Sequence, residues 1–161
     1  MSPTEPVADN SGVRLVPPAI YLAGLIGGYV LWWFLPLPVL PGLWGVAVRI
    51  VGALAFATGI VTMFSALEQM RQVGTTPVPF EPTTALALTG AYQYTRNPMY
   101  LGMALIQGGL ACLGNALWPL VALVPVVWII QTQVIAREEA YLERKFGAAY
   151  LEFKGRVRRW I

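Results

Sequence analysis

Side chains able to do chemistry are few in this chain and gather in three places. They are Glu68-Gln69-Met70-Arg71-Gln72, the stretch from Gly74 to Asn97, and Arg137-Glu138-Glu139. Histidine is absent, which removes the commonest general base, the usual haem ligand and most zinc sites. No metal centre is expected. The single cysteine, Cys112, lies in an apolar run and has no partner for an intramolecular disulfide. Chemistry must therefore rest on carboxylates, Arg, Lys, Tyr or a reactive cofactor.

The densest run is Gly90-Ala91-Tyr92-Gln93-Tyr94-Thr95-Arg96-Asn97-Pro98-Met99-Tyr100-Leu101-Gly102. Pro98 suits the first turn of a helix and Asn97 is a good N-cap, so taken alone this is a capped helix start with Tyr92, Tyr94 and Tyr100 as interfacial anchors. By the same token Glu138 and Glu139 read as a solvated helix start pairing with Arg137, Arg144 or Lys145, and Glu68 as a partner of Arg71.

The elements that must position these residues are membrane helices. The chain has 161 residues, 57% hydrophobic and 12% charged, whereas a soluble domain carries about 25% charged residues. An all-α, polytopic integral membrane protein is expected, with about four spans in one domain over residues 17–161. Residues 1–16, with Pro3, Glu5, Pro6 and Asp9 and no basic region leading into a short apolar core, are expected to form a mobile cytoplasmic tail rather than a signal peptide. Spans are expected at 17–35, 43–67, 98–113 and 116–136, the third short for a full crossing. Pro36, Pro38, Pro41 and Gly42 break the first from the second, and Gly114-Asn115 the third from the fourth. Residues 73–97 read as a long functional loop. Residues 137–161 read as an amphipathic cytoplasmic helix against the membrane. Gly24 with Gly28, Ala53 with Ala57, and Gly108, Gly109 and Ala111 offer flat faces for close packing.

Four spans put both termini on one side. All of the 11 basic residues but Arg49 then fall on that side, which the positive-inside tendency makes cytoplasmic. Trp32, Trp33, Trp44 and Trp118 fall toward the other side, as an aromatic belt would. The three polar places meet at the cytoplasmic mouth. The basic run Lys154 to Arg159 is expected to meet anionic lipid headgroups, and so apolar a chain offers no groove for nucleic acid. A transporter is disfavoured by the lack of midplane charges.

Three pieces occur in order: Arg96-Asn97-Pro98-Met99-Tyr100-Leu101-Gly102, the Glu138-Glu139 pair, and Phe146-Gly147-Ala148-Ala149-Tyr150-Leu151-Glu152-Phe153. This order and spacing, with the lead-in Gly74-Thr75-Thr76-Pro77 of bacterial members, resembles the membrane methyltransferases that include isoprenylcysteine carboxyl methyltransferase and phospholipid N-methyltransferases. The resemblance covers about residues 74–159. It implies S-adenosylmethionine as methyl donor at the cytosolic face of a bacterial inner membrane, and a lipid or lipid-modified acceptor. The implied cofactor contacts are Leu86, Tyr92, Asn97, Pro98, Met99 and Tyr100, with Glu138 and Glu139 meeting the cofactor from the other side. There are departures. Many relatives have His where Asn97 stands. The isoprenylcysteine enzymes place an Arg a turn before the acidic pair, near Gln133 or Val134 here, which argues against carboxylate recognition. Arg156-Val157-Arg158-Arg159-Trp160 lacks the proline that many relatives place after the valine.

Under this resemblance Glu138 or Glu139 would accept hydrogen bonds from the cofactor's ammonium or ribose, and Arg96 would hold its carboxylate. Tyr92 or Tyr100 would stack on adenine or face the sulfonium. Displacement at an activated carbon needs placement and exclusion of water more than a histidine. For an amine acceptor, Glu68 or Glu138 would take the proton. Two alternatives stand beside this reading: a non-enzymatic membrane scaffold with a degenerate cofactor site, and a sterol-reductase-like enzyme using NADPH. The oligomeric state is not legible.

Overall fold

The computed structural model describes residues 9–161. Among them, Pro17–Phe34 forms α1, Trp44–Gln72 α2, Pro98–Leu113 α3 and Leu117–Ile129 α4. A π-helical segment, Ile130–Ile135, leads without a break into α5 (Ala136–Phe146), and α6 spans Ala148–Arg156. The loop between α2 and α3 contains one 3-10 turn, Gly90–Gln93. The described residues are all-α and include three helices long and apolar enough to cross a membrane: Pro17–Phe34, Trp44–Gln72 and the continuous Leu117–Phe146. The fourth expected span, α3, is 16 residues long. At 1.5 Å per residue it reaches roughly 24 Å, less than the roughly 30 Å hydrocarbon layer, because Pro98 fixes its start and Gly114-Asn115 its end.

Lipid must be the solvent of the outer faces. Leu22, Ile26, Val30 and Trp33 on α1, and Ile50, Leu54, Val61 and Phe64 on α2, are all more than half exposed, far more apolar surface than a soluble monomer leaves open. Trp33 and Trp44 are 79% and 72% exposed near the Leu35–Leu43 turn. Trp118 donates its indole N–H to the Leu35 carbonyl (2.8 Å).

Packing between helices is by backbone approach. On α2, Gly45, Gly52, Gly59 and Ala66 are buried; their seven-residue spacing keeps them on one face. A Cβ at Gly59 would sit 2.7 Å from the Gly102 carbonyl oxygen, and one at Gly52 2.7 Å from the Leu113 nitrogen. On α1, a Cβ at Gly28 would sit 2.4 Å from the Pro119 Cα, and one at Gly24 2.5 Å from a Val126 methyl. So α2 lies on α3 and α1 on α4. Gly24, Gly28 and Gly109 serve as expected, but Ala53 and Ala57 are exposed to lipid, and the glycine stripe on the other face makes the contact.

One end of the bundle is closed by Asn115. Its side-chain oxygen accepts from the Val39 and Leu40 N–H groups (3.1 and 3.2 Å), and its amide donates to the Leu40 carbonyl (2.9 Å). The other end holds the residues 9–16, the 73–97 loop and the residues after α4, with the charged groups. Positions 1–8 of the anticipated tail lie outside the described residues. Within positions 9–13, Ser11 and Val13 are buried, Val13 at 3% exposure, and the Gly12 carbonyl accepts from Arg137 (3.2 Å). The single amphipathic helix expected over 137–161 is two helices. Gly147, at φ 50° and ψ −123°, turns the chain between α5 and α6 in a conformation that side chains disfavour.

Candidate functional site

At this polar end α3 starts, the 73–97 loop folds back and α5 begins, leaving a cavity of about 830 Å³ including its open mouth. Its wall brings together Leu86, Tyr92, Arg96, Asn97, Pro98, Met99, Tyr100, Glu138 and Glu139. Every residue expected at a cofactor site therefore borders one space. Glu68 does not. It is exposed on α2, where its carboxylate accepts from the Gln72 amide (3.0 Å) and no bond to Arg71 forms.

The loop is sewn down by its own threonines and by both helices. The Thr84 hydroxyl donates to the Gly74 carbonyl (2.9 Å), and the Thr84 N–H to the Thr75 hydroxyl (3.1 Å). The Ala91 N–H donates to Ser65 on α2 (3.2 Å). The Thr83 N–H donates to the Tyr141 hydroxyl on α5 (3.1 Å), which itself bonds Asp9 (2.9 Å). Ser11 donates to the Pro79 carbonyl and borders the cavity. Beneath lies an apolar cluster of Ala66, Ala87, Tyr92, Tyr150 and Phe153.

Asn97 is not a side-chain cap. The N–H of Asn97 donates to Thr95 (3.2 Å), and its side-chain amide donates to the Arg159 carbonyl (3.0 Å). The chain after α6 has returned to this point. The Arg96 N–H donates to the Arg158 carbonyl (2.9 Å), the Thr95 hydroxyl to that of Arg159 (3.0 Å), and the Trp160 indole to Gln131 in the π-helical segment (2.8 Å). A widened turn of this kind is common where a helix serves a site.

The acidic pair is divided between two partners. Tyr100 donates to Glu138 (2.8 Å), and Tyr21 of α1 donates to the Tyr100 carbonyl (3.0 Å). Burial pushes the Glu138 carboxyl up to about 7; the Tyr100 hydrogen bond opposes this, and the charge of Glu139 adds to it. Burial likewise raises the Tyr92 phenol, and pushes Tyr150 up to about 12. Glu139 is clamped by Arg159 through two bonds (3.0 and 2.7 Å) and approached by Arg96 at 3.3 Å. The solvated pairing expected with Arg137, Arg144 or Lys145 does not form. Arg137 goes to Gly12, and Lys145 to Asp9 (2.6 Å).

Arg159, expected on lipid headgroups, is thus part of the site, while Lys154 pairs with Glu143 and Arg156 with Glu152. Nothing local in the sequence distinguishes Arg159 from its basic neighbours. Tyr141 is equally unmarked, one aromatic among several in the 137–161 stretch, yet it borders the cavity. The side-chain nitrogens Nε and Nη1 of Arg96 are buried without a hydrogen-bond partner among the described residues. Buried donors left so are rare in folded proteins. A cavity bordered by an arginine with two unpaired buried donors, by aromatic walls and by a carboxyl raised toward neutrality suits a ligand that carries an acidic group, a flat ring and a cation.

A protein of Haemophilus influenzae described as uncharacterized is 47% identical over 64 residues, 39% of this chain and 100% of that protein. No solved structure matches. Residues 47–149, from early α2 to the start of α6, match the phospholipid methyltransferase family. The match spans both helices of the α2–α3 pair, the loop and the acidic pair, and this chain belongs to that family of membrane methyltransferases.

Proposed function

We propose that this protein moves a methyl group from S-adenosylmethionine to a lipid or lipid-modified acceptor at the cytoplasmic membrane face. The observation that carries this is the convergence of Tyr92, Tyr100 and the Glu138-Glu139 pair on one cavity beside Arg96, two of whose buried nitrogens are unpaired. Family membership supports the class of reaction. Bound there, S-adenosylmethionine would supply a methyl group already activated by its sulfonium. Arg96 would hold the carboxylate with Nε and Nη1, as charge-assisted bonds favour. Tyr92 or Tyr100 would cover adenine or face the sulfonium. Leu86, Pro98 and Met99 would exclude water from the reacting centre.

The acceptor's polar end would meet Glu138, and its tails would leave between helices into lipid. An amine acceptor must lose a proton, and Glu138, poised near neutrality at the cavity wall, is suited to take it. An isoprenylcysteine carboxylate would want a cation a turn before the acidic pair. Val134 there is fully buried, and Arg137 is committed to Gly12 and Gln133. This favours the amine over the carboxylate. In our reading α3 is a fourth membrane-embedded helix, too short to cross alone and drawn into the bilayer by its glycine contacts with α2. The polar end is cytoplasmic, since it carries the basic residues.

Mass spectrometry of lipids from cells with and without the protein tests the reading. A lipid species gaining one methyl, and losing it again with Tyr100→Ala, is the expected outcome. Identical lipid profiles, alongside normal protein levels, favour a scaffold with a degenerate site and reject the transferase.

A further inference from the structure

We propose that Arg159 is a positioning residue. By occupying both oxygens of Glu139, it keeps the buried face of the Arg96 guanidinium free for an acidic group of the ligand. This rests on the reading above that the cavity takes S-adenosylmethionine.

Geometry distinguishes the two arginines. Arg159 makes two parallel bonds to Glu139, Nε to Oε1 at 3.0 Å and Nη2 to Oε2 at 2.7 Å, the fork arrangement in which guanidinium and carboxylate match best. Arg96 makes one long approach, Nη2 to Oε1 at 3.3 Å, on an oxygen that Arg159 already engages. The Arg96 side chain is 9% exposed, and its Nε and Nη1 have no protein acceptor. Two cations thus share one carboxylate, and the uncompensated charge lies on the buried member that borders the cavity. Glu138, the other acid there, is engaged by Tyr100 instead.

Without the Arg159 side chain, Glu139 would have an oxygen to spare, and Arg96 is the cation beside it. A second bond would draw Arg96 onto Glu139 and away from the cavity, and an entering carboxylate would have to compete with a buried glutamate. The route of the main chain does not depend on this side chain. Carbonyls of residues 158 and 159 are held by Arg96 N–H, Thr95 and Asn97, and Trp160 by Gln131. Arg159→Gln is therefore expected to fold.

The test is calorimetric titration of the purified full chain in lipid nanodiscs with two probes. S-adenosylhomocysteine carries the amino-acid group, and 5′-methylthioadenosine lacks it. Arg159→Gln should weaken the first by roughly 10- to 100-fold, the worth of a lost charge-assisted contact, and the second by less than about 3-fold. Arg159→Lys, which keeps the charge but not the fork, should recover part of the loss, and it carries the test if the Gln variant fails to fold. Equal weakening of both probes would mean a merely structural role, and unchanged homocysteine binding would mean no role; either overturns the proposal. Wild-type protein that binds neither probe would instead remove the cofactor reading, and the proposal with it.

Discussion

Replacing Glu138 by Gln separates two effects of one carboxyl that run in opposite directions with pH. In the fold this group titrates at about 7 against an ordinary 4.5, chiefly through burial. Its raised value means the folded state holds the proton more tightly than the unfolded chain. The associated stability is whole below about pH 4.5, drains as pH rises, and is gone once pH passes about 7. At 1.36 kcal/mol per pH unit the total is about 3 kcal/mol. Wild type should thus lose about 3 kcal/mol relative to Glu138→Gln between pH 4.5 and 8, read from unfolding in mixed micelles. Transfer to an amine should move the other way. It needs the ionised carboxylate, so the wild-type rate should climb through about pH 7, and the Gln variant should lose that limb. A pH-independent stability difference between the two proteins would refute the burial argument. An unchanged rate profile in the variant would remove Glu138 as proton acceptor.

Three further outcomes follow from the packing and the charges. Gly59→Ala should cost about 1–3 kcal/mol in the same unfolding assay, because its Cβ would meet backbone atoms of α3 at 2.7 and 2.9 Å; Ala53→Leu on the lipid face should be neutral. Asn115→Ala removes three bonds to residues 39 and 40 and should cost about 1–3 kcal/mol, with cofactor binding retained at the opposite end. Glu139→Ala leaves Arg96 and Arg159 facing each other with no carboxylate and should destabilise by about 3–5 kcal/mol, whereas Glu68→Ala should leave both transfer rate and stability unchanged.

The spanning helices were legible because a helix in lipid must be apolar all round, and the runs from Pro17 and Leu43 are. The short α3 was visible too, since Pro98 and Gly114-Asn115 mark it off. What could not be read was which face of α2 turns inward. In a lipid-facing helix, alanines and glycines look alike to composition, and the choice of Gly52 and Gly59 over Ala53 and Ala57 depends on where α3 brings its own Gly102 and Gly109. The cavity wall was legible as a set only through the family resemblance carried by the ordered runs Arg96 to Gly102 and Glu138-Glu139; taken alone, each run is a helix start. Arg159 was not, because its role comes from a return of the chain after Gly147 that joins residues more than sixty positions apart. Asn97 shows the same limit. Local propensity made it a cap, and a carbonyl from that returning segment claimed its amide.

Equilibrium binding of labelled S-adenosylmethionine to the purified protein tests the central claim most directly. Saturable binding, sharply weakened by Arg96→Ala and intact in Glu68→Ala, is what the cavity predicts. Absence of saturable binding in folded wild-type protein, or binding indifferent to Arg96, would contradict it.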